Sequence, residues 1–380
     1  MTIHSVRDGI SVAWVNLTGG GLSGGSKKYL SAMLPLLAAD KRIKAITLYS
    51  PAEVAPVIDS LSLSSFYWPA HEQLRGFPTL RRQLREHQPD VVYVPTSRWV
   101  DTGDAPLVVM LRNMEPLTRP WAEGKNGLYE GLKNITRRQA SRRACRRASG
   151  VIAVSEYVAD FLRREWHVDA AKIRMIYHGL SHRAIAPTRP TAITGDTPFL
   201  FTAGSIRPFR GLEDVIQAAA ILRTRFPAHR FVIGGAVEGR LEGYQRRLAA
   251  MSRKLGVADR IVWAGKLSTP EMTWCYQQCA AFVMTSRVEA CPNTALEAME
   301  QGAACVSTSN PPMPEFFRDS VGYYPAGYAT ELAERLIDLL EDERLRNRYR
   351  QIALERARSF TWQRTARATA DFLVSVAGSV

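Results

Sequence analysis

Residues 281–301 of the chain read AFVMTSRVEACPNTALEAMEQ. The apolar run at 281–285 predicts a buried strand, and residues 294–301 predict a helix. Pro292 and Asn293 stand where the helix begins, and both residue types are typical of helix N-termini. A buried strand, a short loop and a helix in this order indicate the parallel sheet of an α/β domain.

Two carboxylates flank this loop. Glu289 lies in the loop itself, and Glu297 lies in the first turns of the helix. A loop carboxylate can accept hydrogen bonds from sugar hydroxyls, and a second one on the helix can reach ribose hydroxyls. Backbone amides between them can face a phosphate. A plain helix start with an exposed Glu297 is the alternative for that residue alone.

A second strand-to-helix loop carries two arginines. Residues 204–211 read GSIRPFRG and follow the predicted strand 199–203. Open α/β sheets bind ligands at the carboxyl ends of their strands, and arginine presents fixed donors that suit phosphate oxygens. Arg207 and Arg210 therefore predict a pyrophosphate site, with solvated surface arginines as the alternative.

A glycine-rich loop, GGGLSGG at 19–25, follows the predicted strand 10–15. The residues that satisfy the pattern G-x-G-x-x-G are Gly19, Gly21 and Gly24. A dinucleotide site also needs an acid at the end of the second strand, which here ends Leu48-Tyr49-Ser50. Ser26-Lys27 reverses the order that a P-loop requires. Either a ligand approaches this backbone closely, or the loop is only a tight turn.

Strand and helix patterns alternate along the chain. The first half predicts strands at 10–15, 43–49, 91–95, 107–111, 150–155 and 173–177. The second half predicts strands at 199–203, 230–233, 261–264, 281–285 and 304–307. Residues 182–197 are rich in proline and threonine and predict a linker. The tail from residue 329 is mostly helical. The fold predicted is α/β, with two doubly wound domains in series.

The composition agrees with this fold. The chain has 380 residues, 46% hydrophobic and 23% charged, which excludes disordered, collagenous and coiled-coil classes. A single core rarely grows beyond about 250–300 residues, so two domains are expected. No apolar run approaches the roughly 18–20 residues of a membrane helix. Met1 to Ile10 lacks the apolar segment of a signal peptide, so a cytoplasmic location is expected.

The five cysteines do not form a metal-binding pattern. The sequence has no C-x-x-C, and Cys275 and Cys279 lie four residues apart without a second pair or a histidine beside them. Zinc sites need such pairs. Reduced and mostly buried thiols are expected.

Positive charge is concentrated in the first half of the chain. The net charge is +14, and residues 1–192 carry 27 lysines and arginines against 16 acids. The densest stretch, Lys133 to Arg147, holds seven basic residues and no acid. On a helix these charges spread widely rather than opposing an apolar stripe. The helix is either a solvated surface or a site for anionic lipid or a phosphate-bearing acceptor. No recognised motif supports nucleic acid, and none is expected as a partner.

These motifs together resemble the retaining GT-B glycosyltransferases of glycosyltransferase family 4. Glu289 and Glu297 are similar to the E-x7-E signature of that family, and Arg210-Gly211 to its basic-Gly pair. Gly24-Gly25 resembles its N-terminal glycine loop. The segments that resemble the end of its first domain are 150–156, GVIAVSE, and 176–179, IYHG.

The resemblance implies two facing Rossmann-like domains. Residues 1–188 would bind the acceptor, 189–360 would bind the nucleotide-sugar, and a helix at 361–380 would cross back to the first domain. Glu289 would contact the donor sugar, and Arg210 with Arg207 would neutralise the leaving diphosphate. The further donor-binding residues implied are Glu297, Gly21, Gly24, Gly25, Pro292, Asn293 and Thr294.

The chain departs from the family at two places. Gly204-Ser205 stands where a Gly-Arg pair is common, so Arg207 is the expected substitute. The loop after the fourth strand reads RNMEP at 112–116 where many relatives carry a histidine. Asn113 is expected to contact sugar or acceptor there. The sequence has no D-x-D, which argues against a metal-dependent GT-A enzyme.

The function expected is therefore metal-independent transfer of a hexose, without a cofactor, from a UDP- or GDP-sugar to a glycan or lipid-linked acceptor. The anomeric configuration would be retained. The basic first half suggests a peripheral position at the inner membrane face. Two alternatives stay open: a non-hydrolysing nucleotide-sugar epimerase of the same fold, and a catalytically silent nucleotide-sugar-binding module.

Overall fold

The computed structural model describes residues 9–17, 24–52, 64–118, 127–182, 185–237 and 239–379. The chain divides into two compact units. The first contains the described residues up to Leu117, those from Leu128 to Ser181 and those from Thr361 onward. The second contains the rest, chiefly His182 to Phe360.

In the first unit, seven parallel strands form one sheet within the described ranges. They are β1 (Ile10–Val15), β2 (Ile43–Pro51), β3 (Ser65–Trp68), β4 (Val91–Val94), β5 (Leu107–Leu111), β6 (Gly150–Ala153) and β7 (Ile173–Met175). The helices between them are α1 (Gly24–Ala38), α2 (Pro78–His87), α3 (Gly127–Arg147) and α4 (Glu156–Arg164). The order β3-β2-β1-β4-β5-β6-β7 reverses between β1 and β4. Strands β4, β5 and β6 are buried at every residue, as strands covered on both faces are.

The second unit has a six-stranded parallel sheet. Its strands are β8 (Phe199–Ala203), β9 (Arg230–Gly234), β10 (Ile261–Gly265), β11 (Ala281–Met284), β12 (Cys305–Thr308) and β13 (Val321–Tyr324). Its helices are α5 (Leu212–Ile221), α6 (Glu242–Lys254), α7 (Thr269–Gln278), α8 (Asn293–Glu300), α9 (Met313–Phe317), α10 (Ala329–Glu341) and α11 (Glu343–Ala357). The order β10-β9-β8-β11-β12-β13 reverses between β8 and β11.

The last helix, α12 (Trp362–Ala377), belongs to the first unit and packs against α1 and β4. Leu180 forms a parallel bridge with Thr361. The Thr365 hydroxyl donates to the Tyr177 carbonyl at 2.8 Å. These contacts fix the start of α12 beside the segment that follows β7.

The α/β fold class predicted from the sequence is confirmed, and the predicted strands are all present. Two strands were missed, β3 (SFYW) and β13 (VGYY). Both are short edge strands, and neither has the apolar run that identifies the central strands. Among the described residues, no helix is both long and apolar enough to cross a membrane.

Candidate active site

The carboxyl ends of β8 and β11 bring two loops together in the second unit. Residues 204–211 follow β8, and residues 285–292 follow β11. The N–H of Arg287 in the second loop donates to the Phe209 carbonyl in the first, at 2.8 Å. Because the strand order reverses between β8 and β11, this is the edge where an open α/β sheet binds its ligand.

Arg210 and Glu289 form an ion pair at this edge. Arg210 Nη1 lies 2.6 Å from Glu289 Oε1 and 3.0 Å from Ser286 Oγ. The side chains are only 19% and 13% exposed. Arg210 Nε is buried and has no hydrogen-bond partner among the described residues. A buried N–H without an acceptor is costly, and a phosphate oxygen is an acceptor that suits a guanidinium.

Two glycines make room for Arg210. At Gly204, where φ is 134°, a Cβ would lie 2.7 Å from Arg210 Cζ. At Gly211, where φ is 62°, a Cβ would lie 2.5 Å from the Thr285 carbonyl oxygen. The Thr285 hydroxyl in turn donates to the Arg210 carbonyl at 2.5 Å. Any larger residue at 204 would displace the guanidinium, and at 211 it would separate the two loops.

A buried carboxylate that was not predicted from the sequence supports the second loop. Asp214, in the first turn of α5, is 1% exposed. It accepts hydrogen bonds from the Tyr324 hydroxyl at 3.0 Å and the Gly327 N–H at 2.9 Å. Arg287 Nη2 lies 3.5 Å from Asp214 Oδ1. The only sequence signal was an acid three residues after Gly211, and acids are common in first turns.

Glu297 lies on α8 beside a buried tyrosine. The Tyr276 hydroxyl donates to Glu297 Oε2 at 3.3 Å, and Tyr276 is 2% exposed. Burial and the neighbouring Glu297 raise the pKa of Tyr276 well above its ordinary value. The hydroxyl therefore keeps its proton and orients the carboxylate.

The start of α8 differs from the prediction. The helix begins at Asn293, one residue early, and Pro292 occupies the N-cap position without a side-chain hydrogen bond. Asn293 therefore lies inside the first turn, and both residues stand at the start of the helix, as predicted. The Thr294 hydroxyl faces Met284 Sδ at 3.7 Å.

Arg207 is partly buried at the start of the short 3-10 turn Pro208–Arg210. Its carbonyl accepts the Arg210 N–H at 3.0 Å, while the ion pair to Glu289 is made by Arg210. A small cavity adjoins Arg210. It is lined by Thr202, Ala203, Gly204, Arg210, Leu212, Ile233, Met284, Thr285 and Ser286.

The structure describes some of the predicted site residues of the first unit. Gly21 lies outside the described residues. Gly24 and Gly25 are exposed in the first turn of α1, and a Cβ at Gly24 would have no described atom within 4 Å. Asn113 is exposed and its Oδ1 accepts the Glu115 N–H at 3.0 Å.

Arg112, beside Asn113, was not predicted as a site residue. Its Nη2 donates to Ser26 Oγ in the first turn of α1 at 2.6 Å. Its guanidinium lies 5.8 Å from the centre of the Tyr29 ring. Burial lowers the pKa of Arg112. A cation therefore stands at the positive end of a helix dipole, which favours anions.

The cysteines are buried and free, as expected. Burial raises the pKa of Cys145 and of Cys275 to about 12, so these thiols stay protonated at neutral pH. Within the described ranges, no three His, Cys, Asp or Glu side chains are grouped so that they could hold a metal ion.

Two families match successive parts of the chain. The family described as Glycosyltransferase Family 4 matches residues 40–183. The family described as Glycosyl transferases group 1 matches residues 188–356. The second range contains the loops that hold Arg210 and Glu289.

Curated relatives include D-inositol 3-phosphate glycosyltransferases. That of Streptomyces bingchenggensis is 27% identical over 241 residues, which are 59% of this chain and 52% of the relative. That of Actinosynnema mirum is 27% identical over 230 residues, 57% of this chain and 55% of the relative. The chain thus spans about half the length of the curated relatives it matches.

Solved structures share the fold over nearly the whole chain. HepE of Anabaena with UDP and glucose has a TM-score of 0.75 at 18% identity, covering 96% of this chain and 100% of that one. Sucrose-phosphate synthase of Thermosynechococcus elongatus has a TM-score of 0.76 at 14% identity, covering 98% and 100%. At these identities the likeness concerns the fold alone.

Proposed function

The chain belongs to the family 4 glycosyltransferases of the GT-B type, and on this premise we propose that it is a retaining glycosyltransferase. It would move a hexose from a UDP- or GDP-sugar to a glycan or lipid-linked acceptor. The observation that carries the proposal is the pair formed by Arg210 and Glu289 at the switch point of the second sheet. A cation, which can bind the diphosphate, and a carboxylate, which can bind sugar hydroxyls, meet there.

In the proposed complex the diphosphate replaces Glu289 as the ion-pair partner of Arg210. The Nε–H of Arg210, which has no described acceptor, would donate to a phosphate oxygen, and Arg207 would supply a second guanidinium. Negative charge grows on the diphosphate as it leaves, and fixed donors that stabilise such charge are usually the largest catalytic contribution. Guanidinium groups would provide the charge that a divalent metal provides in other transferases, so the reaction would need no metal and no cofactor.

The two carboxylates would bind the rest of the donor. Glu289, released from Arg210, would accept hydrogen bonds from sugar hydroxyls. Glu297, oriented by Tyr276, would accept them from the ribose. Amides at the start of α8 carry no side-chain cap and would face the phosphates.

The comparisons suggest which ligands to test first. Solved neighbours of the same fold contain UDP or UDP-glucose, which supports UDP before GDP. The relatives named for D-inositol 3-phosphate support including phosphorylated polyols with glycans and lipid-linked sugars among the acceptors. The proposal also places the protein in the cytoplasm, peripheral to the inner membrane face.

Thermal unfolding with UDP, GDP, ADP and NAD tests the donor site. A ligand at about 100 times its Kd adds roughly 2.7 kcal/mol, which shifts the melting temperature by several degrees. Stabilisation by UDP or GDP alone is expected. A shift with NAD alone, or with none of the four, would contradict the proposal.

A transfer assay with Glu289→Gln tests the chemistry. The variant is expected to lose at least about 100-fold in transfer rate, while Glu343→Gln, an exposed change on α11, keeps the rate. Absence of transfer by the unaltered chain would indicate a silent binding module, and equal rates in both variants would contradict the role of Glu289. Conversion of the nucleotide-sugar to an epimer without acceptor would instead favour the epimerase.

A further inference from the structure

Helix α3 has a clearly defined exposed face. Nine residues between 132 and 147 are exposed; Arg137 lies about 60° outside an arc of about 140° that contains the other eight, at roughly 100° per residue. These eight are Leu132, Ile135, Thr136, Gln139, Ala140, Arg143, Arg146 and Arg147. The buried Ala144 and Cys145 lie outside this arc. The sequence alone predicted charges spread around the helix; the structure shows which of them face solvent.

This exposed face, the α3 face, combines apolar and cationic side chains. Leu132 is 64% exposed and Ile135 is 56% exposed, and they lie toward the N-terminal end of the helix. Arg143, Arg146 and Arg147 occupy the C-terminal end. No aspartate or glutamate occurs in the sequence between residues 131 and 155, so this part of the chain offers these arginines no carboxylate.

The loop after β4 adds an exposed aromatic and an exposed cationic side chain. Trp99 is 40% exposed, and the Arg147 guanidinium lies 5.9 Å from the centre of its ring. The neighbouring Arg98 is also exposed, and its Nη1 donates to the Leu17 carbonyl at 2.6 Å. Partial burial of its side chain and, secondly, the nearby cation of Arg137 in α3 lower the pKa of Arg98. Like charges held together favour an anionic partner over solvent.

We propose that the α3 face with Trp99 binds the surface of a bilayer that contains anionic lipids. Arginines attract the lipid phosphates, exposed Leu132 and Ile135 enter the boundary between headgroups and acyl chains, and a tryptophan ring suits that boundary. A nucleic acid or an acidic protein would satisfy the arginines without accounting for exposed leucine and isoleucine. The inference rests on the proposed function, because it brings the protein to a lipid-linked acceptor.

Co-sedimentation of the full chain with vesicles tests this surface. The protein is expected to pellet with phosphatidylcholine vesicles that contain phosphatidylglycerol, and to stay in solution with phosphatidylcholine alone. Each arginine near an anionic surface contributes about fivefold in partitioning. The triple variant Arg143→Gln, Arg146→Gln, Arg147→Gln is therefore expected to lose about 100-fold, and Leu132→Ser with Ile135→Ser to weaken binding at high salt.

A charge-matched control separates the face from the net charge. It neutralises three exposed arginines of the second unit: Arg344→Gln, Arg348→Gln and Arg358→Gln. The control is expected to bind like the unaltered chain. No pelleting at low salt, equal losses in both triple variants, or binding to a soluble polyphosphate but not to vesicles would overturn the inference. Stabilisation by UDP, measured on the same variants, reports separately whether the proposed donor site is intact.

Discussion

The guanidinium of Arg210 occupies the space that a side chain at Gly204 would need. A Cβ at residue 204 would lie 2.7 Å from Arg210 Cζ and 2.9 Å from its Nε. Because residue 204, in the loop after β8, has no side chain, Arg210 of the same loop can turn back and reach Glu289. A glycine that precedes the arginine by six residues is part of the site without touching a ligand.

Gly204→Ala is accordingly expected to lower UDP affinity and transfer rate together, each at least about tenfold, because displacing a positioned cation costs well over 1 kcal/mol. Calorimetric titration with UDP and an initial-rate assay measure both. Gly265→Ala is the control: its φ, 66°, is positive like the 134° of Gly204, and no described atom lies within 4 Å of the added Cβ. It should lower the melting temperature and leave UDP affinity unchanged. Equal loss of affinity in both would contradict the steric explanation.

Asp214 is expected to stabilise the second unit through the bonds it accepts. Asp214→Asn should cost about 2–3 kcal/mol, since the carboxylate is buried and bonded to Tyr324, Gly327 and Arg287. Tyr324→Phe removes one of these bonds and should cost about 1 kcal/mol. Urea unfolding measures the difference.

The matched acidic control for Asp214 is Asp196→Asn, whose side chain is 98% exposed. Exposed ion pairs contribute little, so this change should stay within about 0.5 kcal/mol. If the two asparagine variants were equally stable, the network around Asp214 would not support the fold.

Tyr276→Phe should weaken nucleotide binding without abolishing transfer. The hydroxyl gives Glu297 one hydrogen bond at 3.3 Å, and one such bond is worth about 1 kcal/mol, or about fivefold in Kd. The expected signature is a higher KM for the nucleotide-sugar with kcat nearly unchanged. Tyr328→Phe, at a site that is 59% exposed, should change neither constant. A fall in kcat alone would assign Tyr276 a different role.

His182 secures the point where the chain enters the second unit. Its backbone N–H and Nδ1 lie 2.9 Å and 3.1 Å from Glu300 Oε1, and its Nε2 lies 3.1 Å from the Phe360 carbonyl oxygen. His182→Ala is expected to cost about 2 kcal/mol of unfolding free energy. His167 provides the control, because it also has a positive φ, 52° against 43°, and is exposed. His167→Ala should cost little, and equal costs would mean that backbone conformation alone explains the effect.

Much of the fold was predictable because parallel strands covered on both faces appear in sequence as apolar runs. Residues 107–111, LVVML, are such a run and are buried throughout. The edge strand SFYW at 65–68 was missed because it has only four residues, too few for its strand-forming aromatic side chains to show a pattern. Arg210 and Glu289 were each identified from their loops, but their contact joins residues 79 apart. It depends on β8 pairing with β11, an order that local sequence does not contain.

The supports of the site were harder to predict. Asp214 and Tyr276 belong to ordinary helices, and only burial reveals that their polar atoms bond to Arg287 and Glu297. The exposed face of α3 could not be predicted either, since the sequence of a helix with seven basic residues does not indicate which of them are buried. The start of α8 was placed one residue late, at 294 instead of at Asn293.

The helix that completes the first unit is synthesised after the strands of the second unit. Every strand of the second unit lies within 182–360, whereas α12 supplies the first unit with Trp362, 5.8 Å from the Tyr29 ring, and with Phe372, which packs where a Cβ on Gly150 would lie. Domains fold as units during translation. The second unit therefore has all its strands while the first still lacks its covering helix, and a ribosome that stops at residue 360 releases a finished second unit attached to an unfinished first.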